Sequence, residues 1–235
     1  PMTTTVADAR ALVEAVDRAG VIGAVSYNYS AYPMVRHAAE MIRAGAIGPI
    51  RRVYVEYHQG WLATDLESTG QKQAMWRTDP AKAGAGALGD IGTHAEQLLR
   101  FITGLEIEAL CAEVVTAVPG RRVDDDAAAM LRLSNGARAT LTVSQVCVGD
   151  ENDLSIRVHG VTGSLRWRQE SPNELEYRRL DGMRQVVTRG SSSSGGTAQR
   201  ATRLPPGHPE GFIEAFATLY KDVASAVLER RRGAG

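Results

Sequence analysis

WRTDPAKAGAGALGDIGTHAEQLLRFITG, residues 76–104, is the stretch on which the interpretation of this chain depends. Asp90 and His94 are four residues apart, so a helical turn at this point places carboxylate and imidazole on one face. A carboxylate and an imidazole placed in this way can accept and release protons as a coupled pair. From Ala95 onward the spacing of apolar residues predicts a buried helix that ends at Gly104, with a core stripe of Leu98, Leu99, Phe101 and Ile102.

The glycines inside this stretch spell GxGxxG between Gly84 and Gly89. A dinucleotide-binding loop of that pattern needs a buried strand directly before it and an acidic residue about 20 positions later. Residues 76–83 are polar and interrupted by a proline, so no strand ends there. We therefore interpret the glycines as permitting a close approach of the backbone to a ligand and a helix start free of side chains.

The composition limits the class of protein. A chain of 235 residues with 43% hydrophobic content can bury a core as one domain, or as one domain and a fragment of another. The chain has 27 Lys and Arg residues and 27 Asp and Glu residues, so it has no net charge that would attract nucleic acid or an anionic membrane. Without an apolar run of about 18 residues or a leader, the sequence predicts a cytoplasmic protein. Cys111 and Cys147 lie in apolar runs and are interpreted as reduced core residues.

The first residues predict an αβ unit. Threonines before Val6 can cap a helix over residues 6–19, Gly20 ends it, and residues 21–27 form a short apolar run typical of a strand. One helix and one strand cannot make a doubly wound sheet, so the unit predicts the remnant of a larger Rossmann domain. We place this remnant at residues 1–29 and a second domain at 30–235.

The second domain is predicted to be α+β. A helix follows Pro33, and from Ile50 the apolar period changes to two, which indicates a strand with one wet face. A last helix is predicted over residues 210–230. The pattern favours an open, predominantly antiparallel or mixed sheet of about six strands, covered on one face by helices. Further strand-like runs occur at 109–118, 126–133, 137–147, 154–159, 164–169, 174–179 and 185–188.

Several motifs, in order, resemble the Gfo/Idh/MocA family of nicotinamide-dependent sugar and polyol oxidoreductases. The motifs that carry the resemblance are Asn28-Tyr29 followed by Pro33, residues 42–48 (IRAGAIG), Trp76-Arg77, residues 86–94 (GALGDIGTH), and His208-Pro209-Glu210-Gly211-Phe212 with Phe216.

The resemblance implies a cofactor and partners. It predicts NAD or NADP as cofactor and a sugar or polyol as substrate. Because an open sheet leaves one face bare, a homodimer or homotetramer formed through the sheet face is also expected. In the family a Glu-Lys-Pro triplet closes a strand of the nucleotide domain and its lysine contacts the substrate. Pro1 would be the proline of that triplet and is assigned to cofactor binding, whereas the lysine and the phosphate loop do not occur in this sequence. Residues 1–235 alone are therefore expected to be inactive.

The resemblance also implies roles for individual residues. His94 would be the base that takes a hydroxyl proton, because an imidazole titrates near neutral pH, and Asp90 would orient it. By spacing alone a structural helix-start pair is favoured, and the flanking resemblance shifts the balance to catalysis. The residues assigned to substrate binding are Asn28, Tyr29, Trp76, Arg77 and His208, each with a surface or packing role as the alternative.

Two other functions remain open at this stage. One is a non-enzymatic ligand-binding or assembly module derived from the same family. The other is a metal-assisted isomerase that uses Asp90, His94 and the aspartates after Val123. No spaced set of His and Cys accompanies those aspartates, so no metal site is predicted, and His58 is interpreted as structural.

Overall fold

Eight strands form one mixed sheet in the computed structural model, which describes residues 2–233. The order across the sheet is β2-β3-β4-β1-β5-β6-β7-β8. All neighbours are antiparallel except β1 and β4, which run parallel. The strands are Ile50–His58 (β1), Ile107–Val115 (β2), Asp126–Leu133 (β3), Arg138–Ser144 (β4), Asp153–Gly160 (β5), Gly163–Arg168 (β6), Glu174–Arg179 (β7) and Arg184–Thr188 (β8).

The α+β class and the mixed sheet are confirmed, but the count of about six strands is wrong. Each strand-like run of the sequence is a separate strand, and tight turns return the chain after three of them. Gly136, with φ of 82°, makes the turn between β3 and β4. Short turns at 161–162 and 180–183 likewise separate β5 from β6 and β7 from β8. The sheet is therefore wider than the prediction.

Helices cover one face of this sheet. Helix α5 lies over its centre, where Leu98 and Leu99 pack against Val55, Leu141 and Ile156 in one core, and α2 lies beside α5 over β6 and β7. The opposite face carries polar side chains that alternate with these core residues. The helices are Val6–Ala19 (α1), Pro33–Arg43 (α2), Lys72–Arg77 (α3), Pro80–Ala83 (α4), Thr93–Thr103 (α5), Gly196–Ala201 (α6) and Phe212–Arg231 (α7).

Helix α1 forms where the sequence predicts it. The Thr5 hydroxyl accepts a hydrogen bond from the Asp8 backbone N–H, and Gly20 ends the helix with φ of 61°. No residue of α1 is buried. The predicted strand at residues 21–27 is wrong: the segment is irregular and mostly exposed, because no described residue offers it a strand to pair with. The assignment of residues 1–29 to a separate domain stays a prediction.

The two cysteines are not core residues. Cys111 is exposed on β2 at the sheet edge, Cys147 is half-buried in the loop after β4, and both are free thiols. Strand β2 has neighbours on one side only, so an apolar run there does not imply burial. Among residues 2–233, no helix combines the length and the apolar character needed to cross a bilayer.

Candidate active site

A π-helical turn, Leu88–Gly92, leads directly into α5 and carries Asp90. Ile91 and Gly92 are buried in this turn, which anchors it on the sheet. Single π-turns are rare and occur frequently at functional sites. His94 lies in the first turn of α5, so the predicted helical continuity between Asp90 and His94 is present, with a wider turn between them.

The glycine-rich segment before this turn packs against the backbone of a neighbouring loop. The N–H groups of Gly86 and Leu88 donate to the Asp124 carboxylate at 2.8 and 2.6 Å, and the Ala87 N–H donates to its carbonyl at 2.9 Å. A Cβ on Gly86 would lie 1.7 Å from the Asp124 carbonyl oxygen. The amides that would hold a phosphate are therefore occupied by a carboxylate, and the segment does not fit a pyrophosphate.

Asp90 is held by two donors at the wall of a cavity. Its carboxylate accepts from Arg77 Nε at 3.2 Å and from Gln145 Nε2 at 2.9 Å. These three residues line a cavity of about 270 Å³ together with Trp76, Gly86 and others, and residues 2–4 close its far side. The cavity thus offers one carboxylate, one guanidinium and one amide, the groups that bind hydroxyls.

Arg77 is fixed between aromatic rings. Its guanidinium carbon lies 4.2 Å from the centre of the Trp76 ring and 5.8 Å from that of Trp61, and it also donates to Gln73. Stacking and the bond to Asp90 together leave the guanidinium one position. Trp76 itself is 39% exposed and forms part of the cavity wall.

His94 lies beside this cavity and does not line it. Its ring meets Tyr27 and Tyr29 edge-on, with centroid distances of 5.3 and 5.2 Å. Burial lowers the pKa of His94, an effect that the nearby Asp90 charge opposes. Its Nδ1 is buried without a hydrogen-bond partner, and Asp90 bonds Arg77 and Gln145 instead. The imidazole is therefore neutral at pH 7, with an unpaired nitrogen.

A closed ring of hydrogen bonds lies below His94. The Tyr29 hydroxyl bonds that of Tyr57 at 2.5 Å, Tyr57 donates to Asn152 Oδ1 at 2.8 Å, and Asn152 Nδ2 donates back to Tyr29 at 3.2 Å. Gln59 joins the ring by donating to Asn152 Oδ1 at 2.7 Å. Burial raises the pKa of Tyr57, so its hydroxyl stays protonated. The ring fixes the tyrosine that packs on His94.

The sequence interpretation missed three amides of this site: Gln59, Gln145 and Asn152. Gln59 and Gln145 follow the ends of β1 and β4, which are parallel neighbours, and Asn152 precedes β5, which is antiparallel to β1. All three amides therefore lie at the same end of the sheet, where β1 and β4 end and β5 begins. Each of these amides directly follows or precedes a strand, which is a signal that the sequence contains. Recognising that the three lie together also required the strand order, which the sequence did not provide.

The remaining predicted site residues are dispersed. Asn28 is buried in a 3₁₀ turn of residues 28–31, and its Nδ2 has no partner. His208 is exposed in the loop before α7, where its carbonyl accepts from Arg189. Neither lines the cavity beside Asp90. Pro1 lies outside the described residues.

The aspartates after Val123 serve the backbone. Asp124 caps the glycine segment, and buried Asp125 accepts from the N–H groups of Ala117 and Val118 at 2.7 and 3.0 Å. Asp125 also bonds Arg121 at 3.1 Å. The carboxylate oxygens of Asp124 and Asp125 are therefore engaged by backbone N–H groups and by Arg121.

The match to a protein family decides the affiliation of the chain. Residues 35–166 match the family model described as "GFO/IDH/MocA C-terminal domain". The chain belongs to the GFO/IDH/MocA family. The matched range contains Asp90, His94, Gln145 and the strands that position them.

Three relatives resemble nearly the whole chain. The oxidoreductase YfiI of Bacillus subtilis, itself uncharacterised, is 31% identical over 99% of this chain and 60% of its own length. An oxidoreductase structure from Sinorhizobium meliloti is 40% identical with a TM-score of 0.86, over 97% of this chain and 60% of that one.

The third relative was crystallised with ligands. It is an inositol dehydrogenase homologue from Azotobacter vinelandii in complex with NADH and myo-inositol. It is 30% identical with a TM-score of 0.90, over 99% of this chain and 60% of its own length. The chain thus spans about 60% of the length of each of these three relatives.

Proposed function

We propose that this chain forms the substrate-facing part of an NAD(P)-dependent oxidoreductase acting on a sugar or polyol. The observation that carries the proposal is the cavity whose wall holds Asp90 between Arg77 and Gln145, with neutral His94 beside it. Membership of the GFO/IDH/MocA family supports the reaction class, and the relative crystallised with NADH and myo-inositol supports the cofactor and the substrate class.

In this proposal the polar wall binds the substrate by its hydroxyls. Asp90 accepts a hydrogen bond from one hydroxyl, and the guanidinium and amide that hold Asp90 donate to its neighbours. Adjacent hydroxyls of a sugar or polyol match this alternation of donors and acceptors. Trp76 supplies an apolar surface against which the carbon skeleton packs.

The proton of the oxidised hydroxyl goes to His94 in this proposal. The imidazole is neutral at pH 7 because burial lowers its pKa, so it is in the protonation state that a general base requires, and its buried Nδ1 has no partner within the protein. The Asp90 carboxylate lies one turn away and stabilises the imidazolium that forms. A bound nicotinamide would supply the acceptor for the hydride that leaves the carbinol carbon.

The described residues fit the substrate side of such an enzyme. The only glycine-rich segment of the phosphate-binding pattern among residues 2–233 has its amides bonded to Asp124. We therefore infer that residues 1–235 by themselves bind a polyol without reducing NAD⁺ or NADP⁺.

Calorimetric titration of residues 1–235 with a panel of polyols, including myo-inositol, tests the proposal. Asp90→Ala should weaken the affinity about 10-fold or more, because a hydrogen bond to a charged group contributes about 1.5–3 kcal/mol. Asp181→Ala, in the exposed turn before β8, is the matched control and should bind as the wild type. Equal affinities of both variants for every polyol would contradict the assignment of this cavity.

A further inference from the structure

Three side chains of types that bind metals lie close together at the end of the sheet where β1 and β4 terminate. The ligand atoms of His58, Cys147 and Asp150 all lie within 4.8 Å of one another. His58 is the last residue of β1, and the other two lie in the loop between β4 and β5. All three are half-buried, so their positions are defined by packing and remain open to an ion.

Backbone hydrogen bonds hold the three segments together. The Cys147 N–H donates to the Gln59 carbonyl at 3.0 Å, the Gly60 N–H donates to the Asp150 carbonyl at 2.8 Å, and the Asp150 N–H donates to the Cys147 carbonyl at 3.1 Å. A Cβ at Gly60 would lie 2.6 Å from the Cys147 carbonyl oxygen, so only glycine permits this approach. The ligands are therefore close together before any ion binds.

The His58 ring is already oriented for coordination. Its Nε2 makes a hydrogen bond of 3.1 Å with the Thr142 hydroxyl, and Nδ1 faces Asp150 Oδ2 at 4.0 Å. Histidines that bind metals in proteins almost always use their second nitrogen in this way.

We propose that His58 Nδ1, Cys147 Sγ and an Asp150 carboxylate oxygen bind a zinc ion. Thiolate, imidazole and carboxylate are the zinc ligands of proteins, and three of them leave the fourth tetrahedral position to water. Zinc bonds of roughly 2.0–2.3 Å place ligand atoms about 3.4 Å apart. Side-chain rotations that move the ligand atoms by about 1 Å therefore complete the site. The thiol gives up its proton on binding. The inference is independent of the proposed oxidoreductase activity.

Cobalt titration of residues 1–235 under reducing conditions tests the site. Co²⁺ takes the same geometry, and a thiolate ligand gives it an intense charge-transfer absorption in the near ultraviolet. We expect one equivalent of this absorption in the wild type and in Cys111→Ser, whose cysteine is exposed on β2, and its loss in Cys147→Ser. His58→Ala should weaken binding by roughly 10²-fold. No thiolate band in the wild type, or a band that survives Cys147→Ser, would overturn the proposal.

A measurement on the wild type alone covers the case in which a variant does not fold. Alkylation by iodoacetamide is followed separately at Cys147 and Cys111 by peptide mass spectrometry, with and without Zn²⁺. A bound zinc should slow modification of Cys147 at least 10-fold and leave Cys111 unchanged, because coordination removes the free thiolate. Equal rates at Cys147 in both conditions would also overturn the site.

Discussion

Asp90 is the residue at which the contacts of the cavity converge. The sequence places it on one face with His94, and the structure adds that its carboxylate bonds Arg77 and Gln145. Its influence on His94 is therefore electrostatic, acting through charge and not through a hydrogen bond. Such a carboxylate stabilises an imidazolium that forms during reaction, while the ring orientation is set by the tyrosines that pack on it.

Removal of the imidazole tests the proposed base. In the proposed NAD(P)-dependent enzyme, His94→Ala should lower kcat by about 10² to 10⁴, the usual contribution of a positioned acid–base group. His159→Gln is the matched control, because this histidine lies on the open face beside Tyr54, and it should keep the wild-type rate. An unchanged kcat in His94→Ala would remove this residue from the mechanism.

The lowered pKa of His94 also predicts how stability depends on pH. The unfolded chain takes up a proton near pH 6.5, whereas the folded chain resists it until lower pH, so the unfolded state binds more protons in between. The free energy of unfolding should be highest above about pH 6.5 and fall as the pH drops towards the folded pKa.

Chemical denaturation at several pH values between 4 and 8 measures this effect. His94→Gln should flatten the decline below pH 6.5 relative to the wild type. Part of the decline should persist, because burial also lowers the pKa of His37 and of His159. His208→Gln, at an exposed loop position, should reproduce the wild-type curve. Identical slopes for His94→Gln and the wild type would contradict the lowered pKa.

Part of this site can be predicted from sequence and part cannot. Asp90, Trp76 and Arg77 lie in one continuous stretch, so local spacing and motif resemblance bring them together. Gln145 lies 55 residues beyond Asp90, and its contact exists only because the π-turn packs against the end of β4. Sequence patterns do not encode strand order, which is why the amides were missed.

At the scale of elements, the glycine-rich segment and its π-turn depend on the loop that holds Asp124. The segment has the sequence of a phosphate loop, but the carboxylate of Asp124 occupies the position of an anion in front of its amides. This contact fixes where the π-turn and α5 begin.

Gly86→Ala tests this contact. The added methyl would lie 1.7 Å from a backbone oxygen that cannot move without its loop, so we expect a loss of about 1–3 kcal/mol or more in the free energy of unfolding. Gly196→Ala, at the first position of α6, meets only the end of the Arg200 side chain at 3.5 Å and should change stability little. Denaturant unfolding compares the two variants, and equal stabilities would contradict the close approach.

Several elements follow closely from periodicity, capping and turn residues, whereas the short helices α3, α4 and α6 were not predicted. Helix α1 and strands β3 and β7 have the predicted bounds, because each is delimited by a strong local signal such as Thr5, Gly20 or Gly136. Residues 21–27 have the composition of a strand and do not form one. A strand forms only where a second strand pairs with it, so composition alone predicted a strand that does not form.

At the scale of the whole molecule, one face of the eight-stranded sheet is open. A row of paired side chains crosses this face from β2 to β8: Cys111, Met130, Thr140, Tyr54, Arg157, Arg166, Glu176 and Val186. Met130 is 65% exposed in this row. We infer that a second copy of the chain covers the face, giving a homodimer or a homotetramer.

Met130→Asp tests the inferred assembly. A carboxylate within the interface would be buried without a partner, so the variant should be monomeric at 25.2 kDa by light scattering. Met183→Asp is the matched control, because Met183 is 86% exposed and lies in the turn before β8, not on a strand of the open face. A wild type that is monomeric at high concentration would contradict the inference.

The π-turn at Leu88–Gly92 has a consequence for how this gene can vary. A π-turn holds one more residue than an α-helical turn, so deleting the codon of Ile91 or Gly92 would shorten the path from Asp90 to α5 and turn the carboxylate relative to that helix. The carboxylate would then leave Arg77 while every hydrophobic residue of α5 stayed in place. Reading-frame-preserving deletions between Asp90 and α5 would thus remove this carboxylate from the cavity wall, and natural variation in length should accumulate elsewhere.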